Sequence, residues 1–306
     1  MPEKTQPAGP PPRRIGVHVG TAGGVWTAVN RALEAGANTF QIFSSSPRQW
    51  RPSAIAPADA RKMLDLRAQH NIAPVAIHAS YLINCCSQTE AVRANSIAAL
   101  RGEVQRALAL GAEYLVLHPG SWKGLTREEG LRLAAESIER AIDGLSFPEP
   151  AFPTPASESA PAFHILIENT AGAEFSLGGK LEQVAELVEA LKPCAPVAVC
   201  LDTCHVHVAG YDIVSEDGYI ETMKLVGATV GFSAVRVWHC NDAKAPFASR
   251  LDRHEHIGEG TIGAAAFQRL LHDPRFAHAA FIAETPVDAP GDEARNVGVL
   301  RALAAR

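Results

Sequence analysis

The 306-residue chain contains no apolar run approaching the roughly 18 residues that a membrane-crossing helix requires, so no span is predicted. It also lacks an apolar signal core. Its first residues are polar and rich in proline, which predicts a disordered lead over residues 1–14 and, by default, a cytoplasmic protein. Cys85, Cys86, Cys194, Cys200, Cys204 and Cys240 show no CxxC spacing, which argues against a disulfide framework or a thiolate zinc site and predicts small buried side chains. No GxGxxG turn follows the first strand-like run, so a dinucleotide-binding sheet is disfavoured. No Ser-His-Asp or Cys-His arrangement offers a protein nucleophile. A net charge of −5 argues against indiscriminate attraction to polyanions, so any contact with nucleic acid has to be local.

What the chain does contain is a recurrent alternation. Eight short apolar runs bounded by turn residues read as strands: Ile15–Gly20, Thr39–Ser44, Val75–Ser80, Tyr114–Gly120, His164–Thr170, Val197–Thr203, Val235–Asp242 and Phe281–Pro286. Between them lie stretches of helical periodicity, among them Val25–Ala35, Ala58–Gln69, Glu90–Leu110, Arg127–Ile142, Gly179–Leu191 and Ala264–Leu271. Continuously apolar strands are expected where helices cover a parallel sheet, and eight βα units predict an α/β fold closed as a single (β/α)8 TIM barrel over residues 15–306. A doubly wound sheet is the alternative. The segment 148–162, rich in proline, serine and alanine, reads as a mobile surface excursion before the fifth strand.

Seven polar side chains end these runs: His18, His78, His118, Glu168, Asp202, His239 and Glu284. In a barrel such ends converge on the face where active sites form. One alone reads as the polar edge of a core, whereas seven in one register call for a common task. Asp252 and His254, two apart on a predicted extended loop, point the same way and can grip one ion together, and His205 adds a ligand just beyond Asp202. The candidate donors are therefore His78, His118, Glu168, Asp202, His205, His239, Asp252, His254 and Glu284. A single zinc takes three or four protein ligands, so this set predicts two or three ions sharing a bridging carboxylate. Zinc, manganese and iron all suit imidazole and carboxylate together. Such a cluster favours phosphoester hydrolysis over aldose–ketose isomerisation. His70, His164, His272 and His278 read as surface or satisfied residues, and His207 and His256 as structural supports. His18 stands between a hydrogen-bonding role and a metal contact, and Glu259 between two glycines reads as a turn residue.

Several segments carry a family resemblance: GVHVGTAGG (16–24), RQW (48–50), HASYLIN (78–84), HPGS (118–121), IENTAG (167–172), CLDTCHVHVAGYD (200–212), HCNDAK (239–244), SRLDRHEHIGEGTIG (249–263) and AET (283–285). In this order they make the chain similar to the endonuclease IV family, metal-dependent apurinic/apyrimidinic endonucleases of base excision repair. The resemblance implies a TIM barrel with three zinc ions, open to manganese or iron substitution. One ion would be held by His78, His118 and Glu168, a second by Glu168, Asp202, His239 and Glu284, and a third by His205, Asp252 and His254. It further implies cleavage 5′ to an abasic site in double-stranded DNA by a metal-held hydroxide that Glu168 positions, leaving a 3′-hydroxyl and a 5′-deoxyribose phosphate. A monomer is also implied.

Selecting an abasic site means bending the duplex and extruding a nucleotide that no base anchors. The resemblance places Arg48, Tyr81 and Leu82 in the DNA stack, against the alternative that Tyr81 and Leu82 are core residues following a strand. Lys244, Arg250 and Arg253 are candidate phosphate contacts, against the alternative of solvated surface charges. Three features depart from the family pattern: Cys85-Cys86-Ser87 after HASYLIN, the long 148–162 segment, and VGTAGG in the first loop. They touch DNA-facing or peripheral loops rather than the metal donors. The rival readings are a sugar isomerase or epimerase on the same barrel, which needs fewer metals, and an inactive DNA-damage-binding scaffold, which should have lost some of the donors.

Overall fold

Eight parallel strands, each four to six residues long, close on themselves in the order β1-β10-β7-β6-β5-β4-β3-β2. They are β1 (Arg14–His18), β2 (Thr39–Phe43), β3 (Val75–His78), β4 (Tyr114–Leu117), β5 (His164–Glu168), β6 (Val197–Asp202), β7 (Val235–His239) and β10 (Ala280–Ala283). The computed structural model describes residues 13–50, 52, 54–147 and 163–305. Residues 1–12 and the excursion expected at 148–162 lie outside the described residues. Of the residues expected in the lead, Arg13 and Arg14 are described, and Arg14 opens β1 in register with Ala280.

Inside the barrel, small and medium side chains such as Ala76, Val116, Leu166, Ala198, Val237 and Ile282 form a closed core rather than a pore. The outer faces of the strands pack against helices, and this double burial explains why the strands read as unbroken apolar runs. At Gly16 a Cβ would stand 1.9 Å from the Thr39 carbonyl oxygen, so only glycine lets β1 and β2 approach here.

The helices are α1 (Thr27–Glu34), α2 (Pro57–His70), α3 (Glu90–Ala109), α4 (Arg127–Ile142), α5 (Leu181–Leu191), α6 (Thr203–Val208), α7 (Glu216–Ala228), α8 (Ala264–His272) and α9 (Asp292–Ala304). Periodicity marked six of them. The three not singled out are α6, which is only six residues long and buried all round, and α7 and α9, where alanine, glycine and polar residues dilute the apolar stripe. Arg67 on α2 is fully buried and donates to both carboxylate oxygens of Glu113 at 2.7 Å, tying the helix layer to the loop before β4.

After β7 the chain leaves the barrel in an antiparallel hairpin, β8 (Asp242–Ala243) with β9 (His254–Glu255). Its base is held by the buried Asp242 carboxylate, which accepts from the backbone N–H groups of Gly258, Ile262 and Gly263 at 2.9–3.1 Å. Gly260 has to be glycine because a Cβ there would meet the Ala243 carbonyl oxygen at 2.4 Å. Five cysteines are buried as expected, but Cys194, just after α5, is exposed. No helix among the described residues is long and apolar enough to cross a membrane.

Candidate metal centre

The carboxyl ends of the strands converge on Glu168, which ends β5 and is fully buried. One of its oxygens lies 3.3 Å from His78 Nε2 and 3.0 Å from His118 Nε2. The other lies 3.1 Å from His239 Nδ1 and 3.4 Å from His205 Nδ1. His78 ends β3 and His239 ends β7, while His118 and Glu284 stand one residue past β4 and β10. The nine donors fall into three groups, the first two sharing Glu168: His78, His118 and Glu168; Glu168, Asp202, His239 and Glu284; His205, Asp252 and His254. Within each group the ligand atoms lie within 4.8 Å of one another. The first two groups form a buried floor, and the third opens towards solvent, its Asp252 side chain being 49% exposed.

Four imidazoles are held by one nitrogen and aim the other inward. His78 Nδ1 donates to the Ala79 carbonyl at 2.8 Å, His205 Nδ1 to Asn169 O at 2.9 Å and His254 Nδ1 to Glu284 O at 3.0 Å. His239 instead donates from Nε2 to the Gln41 side-chain oxygen at 2.9 Å. Each such bond sets the tautomer, leaving the second nitrogen's lone pair directed at the carboxylates, as a cation ligand requires. The inward Nε2 atoms of His205 and His254 are buried and make no hydrogen bond. They approach the two Asp252 oxygens at 3.1 and 3.2 Å. Orphaned imidazole nitrogens facing a carboxylate are chemically what a divalent ion would satisfy, so the donor set fits zinc.

Without ions, these groups must neutralise one another with protons. Burial opposes charging Glu168, yet His118 and His239 around it hold its carboxyl well below the usual range. Burial likewise opposes protonation of His205 and is outweighed by Asp202 and Asp252, which push it well above its ordinary value. His254, also penalised by burial, is pushed up to about 9 by Asp252 and Asp202. The sign follows from linkage. The stability that the His254 proton gives the ion-free fold is complete below its ordinary value of 6.5 and is lost as pH rises through about 9. That of Glu168 is present above its ordinary 4.5 and lost as pH falls. Metal-stripped protein should therefore melt at progressively lower temperature from pH 6.5 to 9, whereas zinc-loaded protein should hold its melting temperature there. Parallel melting curves for the two forms would sink this account.

Several supporting residues were not among the sequence candidates. Gln41, an inward polar residue in the apolar run of β2, accepts from His239 and donates to Glu284 at 2.5 Å. Asn169 accepts the Asp202 backbone N–H at 2.8 Å, and Asn241 donates to the Asp202 carboxylate and accepts the Glu284 N–H at 2.7 Å. A glutamine within an apolar strand and asparagines next to predicted ligands are the clues that could have found them. His18 makes a hydrogen bond with Gln41 at 3.1 Å and stands 3.8 Å from Glu284, and burial lowers its pKa. His207 and His256 are buried supports, bonded to Thr261 and Asn296. Glu259 pairs with Arg295.

Tyr81 stands on the rim, 66% exposed, its ring 5.2 Å from Phe43 and steeply tilted to it. It is thus no core residue, whereas Leu82 beside it is half-buried. Arg48, Lys244, Arg250 and Arg253 are exposed and outside the donor cluster, the last three on the excursion between β8 and β9. Lys244 lies 3.8 Å from Glu255.

A closed parallel barrel with imidazoles and carboxylates gathered on its C-terminal rim defines a metal-site TIM barrel, and the family described as the xylose isomerase-like TIM barrel matches residues 29–303. Probable endonuclease 4 of Solibacter usitatus is 44% identical over 293 residues, covering 95% of this chain and 97% of the relative. The crystal structure of endonuclease IV from Thermus thermophilus superposes with a TM-score of 0.81 at 36% identity, covering 95% of this chain and 99% of that one. The chain belongs to the endonuclease IV family. A D-tagatose 3-epimerase-like protein superposes with a TM-score of 0.68 over 95% of this chain and 97% of its own at 18% identity, a likeness of fold alone.

Proposed function

We propose that this protein is a DNA-repair endonuclease that hydrolyses the phosphodiester 5′ to apurinic/apyrimidinic sites in double-stranded DNA, leaving a 3′-hydroxyl and a 5′-deoxyribose phosphate. The reading rests on the Glu168-centred cluster, where buried inward imidazole nitrogens face carboxylates with no protein hydrogen bond to satisfy them. Three zinc ions would be held by His78, His118 and Glu168; by Glu168, Asp202, His239 and Glu284; and by His205, Asp252 and His254. When bound, such ions supply charge for the phosphate oxygens and lower the pKa of water from about 15.7 towards roughly 7. Glu168, with both oxygens among imidazoles, would orient the attacking water. Gln41, Asn169 and Asn241 hold the donors in place, which limits the rearrangement needed as charge develops.

The rim fits the same reading. The exposed Tyr81 ring, backed by Phe43, and its neighbours Leu82 and Arg48 would fill the gap left by a missing base. Lys244, Arg250 and Arg253 would meet phosphates, although Lys244 would have to leave Glu255. A monomer acting on DNA in the cytoplasm fits the family resemblance. The sugar-isomerase alternative makes no use of Asp252 with His254, or of an exposed tyrosine on the rim.

A duplex carrying a tetrahydrofuran abasic analogue, which is unable to undergo β-elimination, tests the proposal. Incision 5′ to the analogue is expected from metal-loaded protein, and none after prolonged chelation. Failure to incise at any metal loading would sink the hydrolytic reading.

A further inference from the structure

One reactive side chain at the floor of the metal centre takes no part in the proposed hydrolysis: the Cys200 thiol. It is fully buried on β6, among the side chains that fill the barrel interior. Side chains alternate along a strand, so Cys200 faces the same way as the donor Asp202 two residues on. The β5–β6 register sets Cys200 beside Glu168, and across the other edge of β6 Asp202 is paired with His239.

As a result, the Cys200 sulfur, a Glu168 carboxylate oxygen and a His239 ring nitrogen all lie within 4.8 Å of one another, as close as the atoms of the three donor groups. His239 spends Nε2 on Gln41, so the nitrogen left for a cation is Nδ1, 3.1 Å from Glu168. Sulfur, carboxylate and imidazole thus surround one small space, although no CxxC spacing announces a thiolate site. Zinc has no need of this sulfur. Glu168, Asp202, His239 and Glu284 already offer the four ligands that a tetrahedral zinc takes. A softer ion ranks the donors differently, because it favours thiolate over carboxylate oxygen.

We propose that Glu168, Cys200 and His239 form an alternative site for a soft, thiophilic divalent cation of the cadmium class, overlapping the second donor group and excluding zinc from it. The Cys200 S–H bond breaks as the metal–sulfur bond forms, and the proton passes to water. One set of strand ends then holds ions of two kinds, the harder through carboxylates and the softer through sulfur. The inference shares Glu168 and His239 with the proposed nuclease but not its reaction, so the metal–sulfur bond is read whether or not the protein cuts DNA.

Cadmium, titrated into chelator-stripped full-length protein, is the probe. A thiolate-to-cadmium charge-transfer band in the ultraviolet is expected to grow and saturate, and cadmium NMR should show a sulfur-ligated resonance. Cys200→Ser should abolish both signals while zinc content stays as in the wild type. Cys204→Ser is the control and should keep both, because the Cys204 sulfur lies within 4.8 Å of Asp202 and His254 ligand atoms and is the other thiol able to give such a band. Cys200→Ala gives a second reading should Cys200→Ser fail to fold. No band in the wild type, a band that survives without Cys200, or one lost in Cys204→Ser would overturn the proposal. A cadmium–sulfur band in a protein that fails to incise when zinc-loaded would uphold this site and count against the nuclease reading alone.

Discussion

Glu168→Gln is expected to reduce incision of the abasic-analogue duplex by about a thousandfold or more while leaving the barrel folded. The substitution is nearly isosteric, so packing at this fully buried position is kept. What is lost is the charge that faces His78, His118, His205 and His239 at 3.0–3.4 Å. Removing one preorganised electrostatic group typically lowers a rate by about 10²–10³, and Glu168 belongs to two of the three donor groups at once. Single-turnover rates, read beside circular dichroism, decide the matter. Incision at the wild-type rate would show that Glu168 is not central.

The second large effect is expected from Asp252→Ala combined with His254→Ala. These residues lie on the hairpin excursion outside the barrel ladder, so the variant should fold and should keep the two floor groups. It should lose one zinc per chain by atomic spectroscopy, and most of the incision with it. His205 would then keep its anchor on Asn169 but face no carboxylate from the excursion. Unchanged zinc content would refute the assignment of a third site, and the result also separates the nuclease reading from an isomerase barrel, which has no use for this pair.

The barrel was legible because its strands are buried on both faces and so read as apolar runs, and because a polar residue closes nearly every one. The expected strand bounds run up to three residues too far at the carboxyl ends. There the sequence stays apolar or small through Ala79, Pro119 and Cys240 after the ladder has stopped. All nine candidate donors were nameable because imidazole and carboxylate recur at these ends, and because Asp202 with His205 and Asp252 with His254 repeat the pattern just beyond. Gln41, Asn169 and Asn241 were not, since a residue that orients another through hydrogen bonds shows no spacing of its own. The exposure of Tyr81 was equally invisible, because an aromatic two residues after a buried Ala79 reads as core until the loop's path is known. His164 and His278 were read as surface or satisfied residues, yet each keeps an unpaired buried nitrogen, which only the barrel's closure reveals.

Glu168 takes neighbours from both halves of the chain: His78 and His118 precede it, while His205 and His239 follow, and Glu284 comes only after the last barrel strand. Gln41 on β2 then bonds to both His239 and Glu284, clasping the start of the barrel to its end. A chain still emerging from the ribosome therefore lacks the complete donor set until its last barrel strand has been made. On the nuclease reading, synthesis itself acts as a safety catch: a truncated product could fold in part and even capture an ion, yet be harmless to the genome.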